Sequence, residues 1–555
     1  EIVQYMCEES LKEYLKTKIE DDTYRDIRIE EVVSMSEAVF RDQDHNKRRD
    51  WKPYVQSMTK ALDELTVLDP AVGSGAYPMG MLHLLVKVYT RLDSKYEKNL
   101  SKLKRSILNR SLFGSDIDLT AIEICRLRAW LSLIVDLEEN EQVAPLPNLE
   151  FHFVCANSLL SLNKDNSLWD TTDLKENMKQ IRTDYYNTSS KTLKETLKKK
   201  YNKLSNPSQN SLLSESENDN ILKTYQPFSH ESRAVFFDPD LMFGVEKFNV
   251  VVGNPPYVGE KGHKEIFQPI AKSSLGKRFY LGKMDLFYFF FHLGLDLLQE
   301  GGVLSFISTN YYITATGAKK LRDDFKNRST VLDLVNFNEL KIFESALGQH
   351  NLITILQKGN YTRDAFTAST KRKGYANGNI LENITSGTDT ETEYAKIQQD
   401  KLFSGGNIVM KSSALELILD KIKLGSKNLD KICTINQGIV TGADKVSASH
   451  LRKYKWKASK GDGVFVLNSK EIEKINNSEI ELLKPWYKNS DATLWATNNT
   501  TSENILYLNG STDEGKIPSI INHLEKFKDN LQERREVHKG ARNWYDLWWS
   551  RNQII

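Results

Sequence analysis

Asn254-Pro255-Pro256-Tyr257 places an amide oxygen, a backbone carbonyl and an aromatic ring within four residues. The two prolines fix the backbone and remove two N–H donors, so a carbonyl is left pointing outward from a rigid turn. Such a surface suits gripping a planar base through its exocyclic amine. A turn built only for structure has no need of Asn and Tyr around a double proline. The hydrophobic run Phe248-Asn249-Val250-Val251-Val252-Gly253 just before it predicts a buried parallel strand ending at the tetrapeptide. The C-terminal ends of such strands are where open α/β sheets bind ligands.

A second motif lies upstream. In Asp69-Pro70-Ala71-Val72-Gly73-Ser74-Gly75 the glycines let backbone approach a ligand, and the N-terminus of a following helix offers free N–H groups. A GxG turn alone is weak evidence, since many α/β folds use one for packing. The absence of GxxxxGK[ST] argues against cradling of ATP-type phosphates. Further on, Ser115-Asp116-Ile117-Asp118 ends the next apolar run. An acid there can accept hydrogen bonds from both hydroxyls of a ribose, and Asp116 is preferred because Asp118 could cap the following helix.

These motifs need a scaffold, and the chain predicts one. Residues 65–68, 111–114 and 149–154 read as strands, with helices over 77–89 and 119–135 between them. Strand–helix alternation implies a parallel sheet covered on both faces. Asn157 and Ser158 follow the third strand. Residues 162–240 are polar and read as a helical excursion or loop. The sheet resumes at Phe248, continues through a helix over 285–299 stopped by Gly301-Gly302, and adds strands at 303–308, 331–336 and 352–357. The Gly/Thr/Ser-rich residues 374–392 read as a linker or exposed loop. Beyond them come a glycine-containing turn at 435–442 and aromatic-basic clusters at 454–457 and 534–549, which suggest a second domain ending unfinished. A helix over residues 1–15 has nothing to cap its start, so the chain is expected to begin inside a motif.

A length of 555 residues suggests two or three domains. With 39% hydrophobic and 27% charged residues, the composition is that of a globular protein. The most apolar segment, 286–298, is interrupted by His292 and Asp296 and is too short to span a membrane. Cys7, Cys125, Cys155 and Cys433 are scattered, which suggests reduced cytosolic thiols and no metal site. Net charge is only +2, but residues 401–555 carry 24 Lys and Arg against 18 Asp and Glu. That excess is compatible with phosphate contacts and equally with a solvated lysine-rich surface. No nuclease motif is evident; Glu471-Ile472-Glu473-Lys474 reads as a solvated helix face.

In kind and in order, Asp69 to Gly75, Asp116, Asn157-Ser158 and Asn254 to Tyr257 resemble the gamma-class amino-group DNA methyltransferases. The Asn-Pro-Pro-Tyr form resembles the N6-adenine members in particular. Over nearly the whole chain the likeness is to the methylase-plus-specificity portion of type IIG restriction–modification enzymes. It implies a Rossmann-like, doubly wound α/β sheet of the S-adenosylmethionine-dependent methyltransferase kind, with a C-terminal α+β target-recognition domain. The implied division is a helical segment (1–60), a catalytic domain (61–372, with its insertion at 162–240), a linker (373–404) and a target-recognition domain (405–555).

The resemblance also implies roles. Asp69, Pro70, Ala71, Gly73, Ser74 and Gly75 would hold the methionine end of S-adenosylmethionine, Asp116 and Ile117 its ribose side, and Asn157 and Ser158 its adenine edge. Asn157 stands where relatives often carry an acid. Asn254, Pro255, Pro256 and Tyr257 would act at the target, Tyr257 and Phe343 packing on a flipped adenine; ordinary core is an even alternative for Phe343. Relatives carry a Tyr-Thr-Pro-like segment before the position equivalent to Glu1. The implied partner is double-stranded DNA in a prokaryotic cytoplasm, with no membrane. Mg2+ would be needed only by a nuclease domain upstream in the same polypeptide. A stand-alone phage-defence methylase, a protein-glutamine or RNA methyltransferase, and a non-catalytic specificity module are the alternatives.

Overall fold

Continuous apolar runs and, at one edge, two more polar strands come together in a nine-stranded sheet. The computed structural model describes residues 1–555 except 21, 37–38, 41–43, 137–148, 163–170, 189, 206–220, 222–223, 230–231, 344–348, 411–417, 419–420, 423, 435–437, 455, 492–499, 539 and 552–555. The strands are β1 (Val67–Asp69), β2 (Leu112–Asp116), β3 (Phe153–Cys155), β4 (Phe248–Gly253) and β5 (Leu298–Thr309). They continue with β6 (Ser329–Asn336), β7 (Asn351–Lys358), β8 (Ala365–Thr370) and β9 (Thr392–Ile397). Their order is β9-β8-β6-β7-β5-β4-β1-β2-β3. β1 pairs in parallel with β2 and β4, β2 with β3, and β4 with β5, whereas β7 runs antiparallel between β5 and β6. The order reverses at β1, which opens a crevice beyond the carboxyl ends of β1 and β4.

Every residue of β4 is buried, as a strand covered on both faces requires. Val250 and Val252 belong to one core cluster and Val251 to another, so the two cores lie on opposite faces of the sheet. α1 (Ile2–Lys18), α2 (Ala76–Leu92) and α3 (Leu119–Ile134) contribute to the first core. The insertion takes the helical form of its two readings: α4 (Thr171–Asn187) and α5 (Lys191–Ser205) bury Met178, Ile181, Tyr185, Leu197 and Tyr201 in the second core. It returns to the sheet through a parallel bridge between Ala156 and Ala234.

Three expectations change. Residues 149–151 form a 3-10 turn, so β3 begins only at Phe153. The apolar helix α6 (Leu286–Leu297) stops before the two glycines, which lie inside β5. A Cβ on Gly302 would come 2.9 Å from the Gln299 carbonyl and 3.0 Å from the Asn249 carbonyl, so close strand approach demands glycine there. Residues 374–392, expected to be a linker or exposed loop, are folded: Asn377 caps a helix over Gly378–Thr385 that buries Leu381 and Ile384, and Thr392 begins edge strand β9. Small polar residues suit the turns and the edge position as well as they suit a linker.

By contacts the chain divides into Glu1–Lys421 and Ile422–Ile555, so α1 and residues 373–404 belong with the sheet, and the boundary lies beyond 404. The second unit holds a three-stranded antiparallel sheet, β10 (Val466–Asn468), β11 (Leu483–Pro485) and β12 (Glu503–Leu506), with β12 central. A helix over Pro518–Glu525 buries Ile520 and Leu524 in its core. Part of its aromatic-basic sequence is structural: Arg534 donates to the carbonyls of Leu531, Trp544 and Asp546, and burial lowers its pKa to about 10. Glu471 caps a short helix, accepting from Asn468 N at 2.9 Å and Gly463 N at 2.7 Å. Residues 435–437, 455 and 539 of these segments lie outside the described residues. Among the described residues no helix is long and apolar enough to cross a membrane.

Candidate active site

Asp69 ends β1 and is 1% exposed. Its Oδ1 accepts from Ala71 N at 3.0 Å, while its Oδ2 is buried with no hydrogen-bond partner among the described residues. Burial is the largest cause raising its pKa to about 8, and the charge of Asp116 adds to it. Leaving a buried carboxylate oxygen unmatched is costly, and a cationic ligand group would remove that cost. Gly73 (φ +50) and Gly75 (φ +86) shape the loop that follows. A Cβ on Gly75 would strike Cys125 Sγ at 2.6 Å, whereas one on Gly73 would meet nothing within 4 Å. Gly75 is therefore fixed by packing, and Gly73 faces open space.

Asp116 ties this loop down. Its Oδ2 accepts from Gly73 N at 2.8 Å and its Oδ1 from Asp118 N at 2.9 Å. Each oxygen keeps a further lone pair for a ribose hydroxyl. Asp118 caps α3 by accepting from Thr120 N at 2.8 Å, the alternative weighed for it. Ile117 beside it is 68% exposed, an apolar surface at the mouth of the loop. Ser74 is exposed and held by Arg128, whose Nη1 donates to the Ser74 carbonyl at 2.9 Å.

Asn157 Oδ1 accepts from Leu159 N at 3.2 Å. Ser158 is buried, and its hydroxyl donates to the Pro70 carbonyl at 2.6 Å and lies 2.9 Å from Ser115 Oγ. Ser158 thus braces the Pro70–Ala71 corner. The donor set fits S-adenosylmethionine, whose ammonium the unmatched Asp69 carboxylate would meet and whose ribose Asp116 would meet.

The target side has a different character. Asn254 and Pro256 are exposed, Pro255 is buried and Tyr257 is half-buried. Tyr257 Oη donates to Asn254 Oδ1 at 2.5 Å and lies 3.2 Å from the Ile307 carbonyl on β5. Asn351 Nδ2, at the start of β7, approaches the same oxygen at 3.5 Å. The Tyr257 ring meets Phe287 edge-on at 6.1 Å, and burial raises the pKa of its hydroxyl. Asn351 stands 94 residues from Tyr257, so no local pattern marks it.

The two halves meet at Gly253. A Cβ there would come 2.5 Å from Asp69 Oδ1, so the residue before the tetrapeptide is glycine because the carboxylate of β1 occupies that space. Phe343 is half-buried and packs at the edge of the first core, while Tyr257 packs against the second. The structure therefore gathers Asp69–Gly75, Asp116, Asn157-Ser158 and Asn254–Tyr257 at one end of the sheet but does not join Phe343 to the Tyr257 cluster. Among the described residues no three His, Cys, Asp or Glu side chains gather as a metal site.

Residues 110–343, which carry Asp116, the tetrapeptide and Phe343, match the Eco57I restriction-modification methylase family. This segment is similar to a restriction–modification methylase domain. Curated relatives agree. A Methanocaldococcus jannaschii protein, provisionally named a type II restriction enzyme and methyltransferase, is 25% identical over 73% of this chain and 39% of its own length. The type II methyltransferase M.BanIII of Aneurinibacillus aneurinilyticus is 23% identical over 58% of this chain and 57% of its own. The adenine-specific methyltransferase PglX of Lacticaseibacillus casei is 22% identical over 80% and 36%. The chain thus covers between about a third and three-fifths of these relatives' lengths. Among solved structures, the DNA complex of the type IIL restriction–modification enzyme MmeI covers 92% of this chain and 54% of its own at 12% identity, with a TM-score of 0.45. The sheet is doubly wound about β1 and continues beyond β6 to β8 and β9.

Proposed function

We propose that this chain methylates N6 of an adenine flipped out of duplex DNA, as part of a restriction–modification system. One observation carries the reading: the exposed Asn254 amide stands on a double-proline turn one residue from Gly253, which packs against the half-matched Asp69 carboxylate. When bound, S-adenosylmethionine supplies an electrophilic sulfonium methyl. Asp69 and the Ala71–Gly75 backbone would hold its methionine end, Asp116 and Ile117 its nucleoside, and Asn157 its adenine edge.

The N6 lone pair of adenine is delocalised into the ring and is a poor nucleophile. Hydrogen bonds from the amine to Asn254 Oδ1 and the Pro255 carbonyl favour a pyramidal nitrogen, and fixed orientation supplies much of the remaining barrier reduction. The Tyr257 hydroxyl, by donating to Asn254 Oδ1, keeps the oxygen end of that amide in place while the ring offers a stacking face. Phe343 would pack on the base from another side. Residues 422–555, with their basic excess, would read the sequence around the target. A nuclease and its Mg2+ would belong to other parts of a longer polypeptide.

The test is transfer of labelled methyl from S-adenosylmethionine to mixed-sequence duplex DNA, followed by nucleoside digestion. Label in N6-methyladenine at a recurring site is expected. Label in RNA, in protein or nowhere, with cofactor bound, contradicts the proposal.

A further inference from the structure

The chain leaving Tyr257 does not go straight to its next helix. Residues 258–260 pair with 284–286: Leu286 N donates to the Val258 carbonyl and Glu260 N to the Met284 carbonyl, both at 2.8 Å, around a bridge between Gly259 and Asp285. Residues 280–283 form the turn that enters this ladder. On its other side a Cβ on Gly317 would come 2.2 Å from the Lys283 carbonyl, so the 3-10 turn Thr316–Ala318 beyond β5 backs it directly. The turn is thus clamped between the segments leaving β4 and β5, at the same sheet end as Asn254.

It is also rigid. Tyr280 Oη donates to Glu260 Oε1 at 2.5 Å, and Lys320 Nζ donates to the carbonyls of Arg278 at 2.7 Å and Tyr280 at 3.5 Å. Phe279 stacks on the buried His292 ring at 3.6 Å. Held this firmly, the turn nevertheless presents Leu281 with 47% of its surface exposed. Lys277 and Lys283 flank Leu281 and are exposed, as are Lys261, Lys264 and Lys272 nearby. Lys283 adopts φ +54, a left-handed conformation in which glycine would be easier, so a side chain is kept there against backbone preference.

An apolar tip on a stiff support, surrounded by cations and joined to the target-side tetrapeptide, matches duplex DNA: phosphates for the lysines and the base stack for the leucine. Resting on the adenine-flipping reading above, we propose that residues 280–283 are a wedge, Leu281 entering the stack where the target adenine leaves it and Lys283 contacting phosphate. Filling that gap offsets part of the cost of unstacking and unpairing the adenine.

The experiment uses the full chain and a duplex containing the site at which the wild type places its methyl group, either fully paired or with a mismatch opposite the target adenine. Leu281→Ser is expected to lower kcat/KM about tenfold on the paired duplex and to come within about twofold of wild type on the mismatched one, where the base is already loose. Equal loss on both duplexes, or no loss on either, overturns the wedge. Lys283→Gly preserves the left-handed backbone and should lower the slope of log affinity against log salt by about one; an unchanged slope overturns the phosphate contact. If the wild-type chain transfers no methyl to DNA at all, the function proposed above has itself failed and the wedge with it, whereas normal transfer by Leu281→Ser removes the wedge alone.

Discussion

The ends of β1 and β4 lie side by side yet are built on opposite plans. Asp69 is buried, takes a backbone N–H on one oxygen and has its pKa raised by desolvation. Asn254 is exposed and held by a side-chain hydroxyl and the prolines after it. A small ligand of constant shape can be met by buried, backbone-lined surface. A polymer cannot enter such a place, so the group that meets it must stand at the surface. There, rigidity has to come from proline and from hydrogen bonds reaching back into β5 and β7. Gly253 is the seam between the two plans, since its missing Cβ lets the Asp69 carboxylate lie against β4.

If the halves are separate in function, Asn254→Ala should reduce methyl transfer on the order of a thousandfold while S-adenosylmethionine affinity stays within about twofold by calorimetry. Comparable loss of both would mean that Asn254 only supports the fold. Gly253→Ala attacks the seam. Though it lies on the target strand, it should push the Asp69 carboxylate aside, weaken cofactor binding about tenfold or more and cost about 1–3 kcal/mol of stability in urea unfolding. Unchanged cofactor affinity would show that the two halves do not touch in solution.

The raised pKa of Asp69, about 8, gives a pH test of the cofactor half alone. Below that value the free chain holds Asp69 largely protonated, and pairing with a ligand ammonium requires the proton to leave. Cofactor affinity should therefore rise about tenfold per pH unit up to roughly pH 8 and then level off, a slope that Asp69→Asn abolishes. Stability of the ligand-free chain runs the other way. A carboxyl whose folded pKa is raised from 3.8 to about 8 stabilises the fold most at low pH and loses that contribution as pH climbs through about 8, which thermal melts in this window would detect. The smallest effect is expected from Tyr257→Phe. It keeps the ring but releases Asn254 Oδ1, and transfer should fall about tenfold with cofactor affinity unchanged. Wild-type rates would leave the tyrosine with stacking alone.

The same contrast explains what could be read from the chain. Continuous apolar runs such as Val250–Val252 declare a buried strand, and double proline and GxG declare the turns after two of them, because those constraints are local. Asp118 offered itself as a cap or a ligand, and the choice followed from one hydrogen bond to Thr120 N. Residues 374–392 are not legible locally because turn-forming composition does not distinguish a linker or loop from a capped helix leading to an edge strand; burial of Leu381 and Ile384 decides it. Asn351 and the ring of backbone around the 280–283 turn were invisible, since they arise where segments distant in sequence meet. Likewise, nothing local marks Arg534 as an internal brace for carbonyls among the basic residues around it.

The most direct measurement of the central claim is a side-by-side reaction of the wild-type chain and Asn254→Ala with isotopically labelled S-adenosylmethionine and duplex DNA, read by mass spectrometry of the digested nucleosides. The account predicts labelled N6-methyladenine from the wild type and on the order of a thousandfold less from the variant, with both chains binding the cofactor equally. Label on another base, or equal label from the variant, would contradict it.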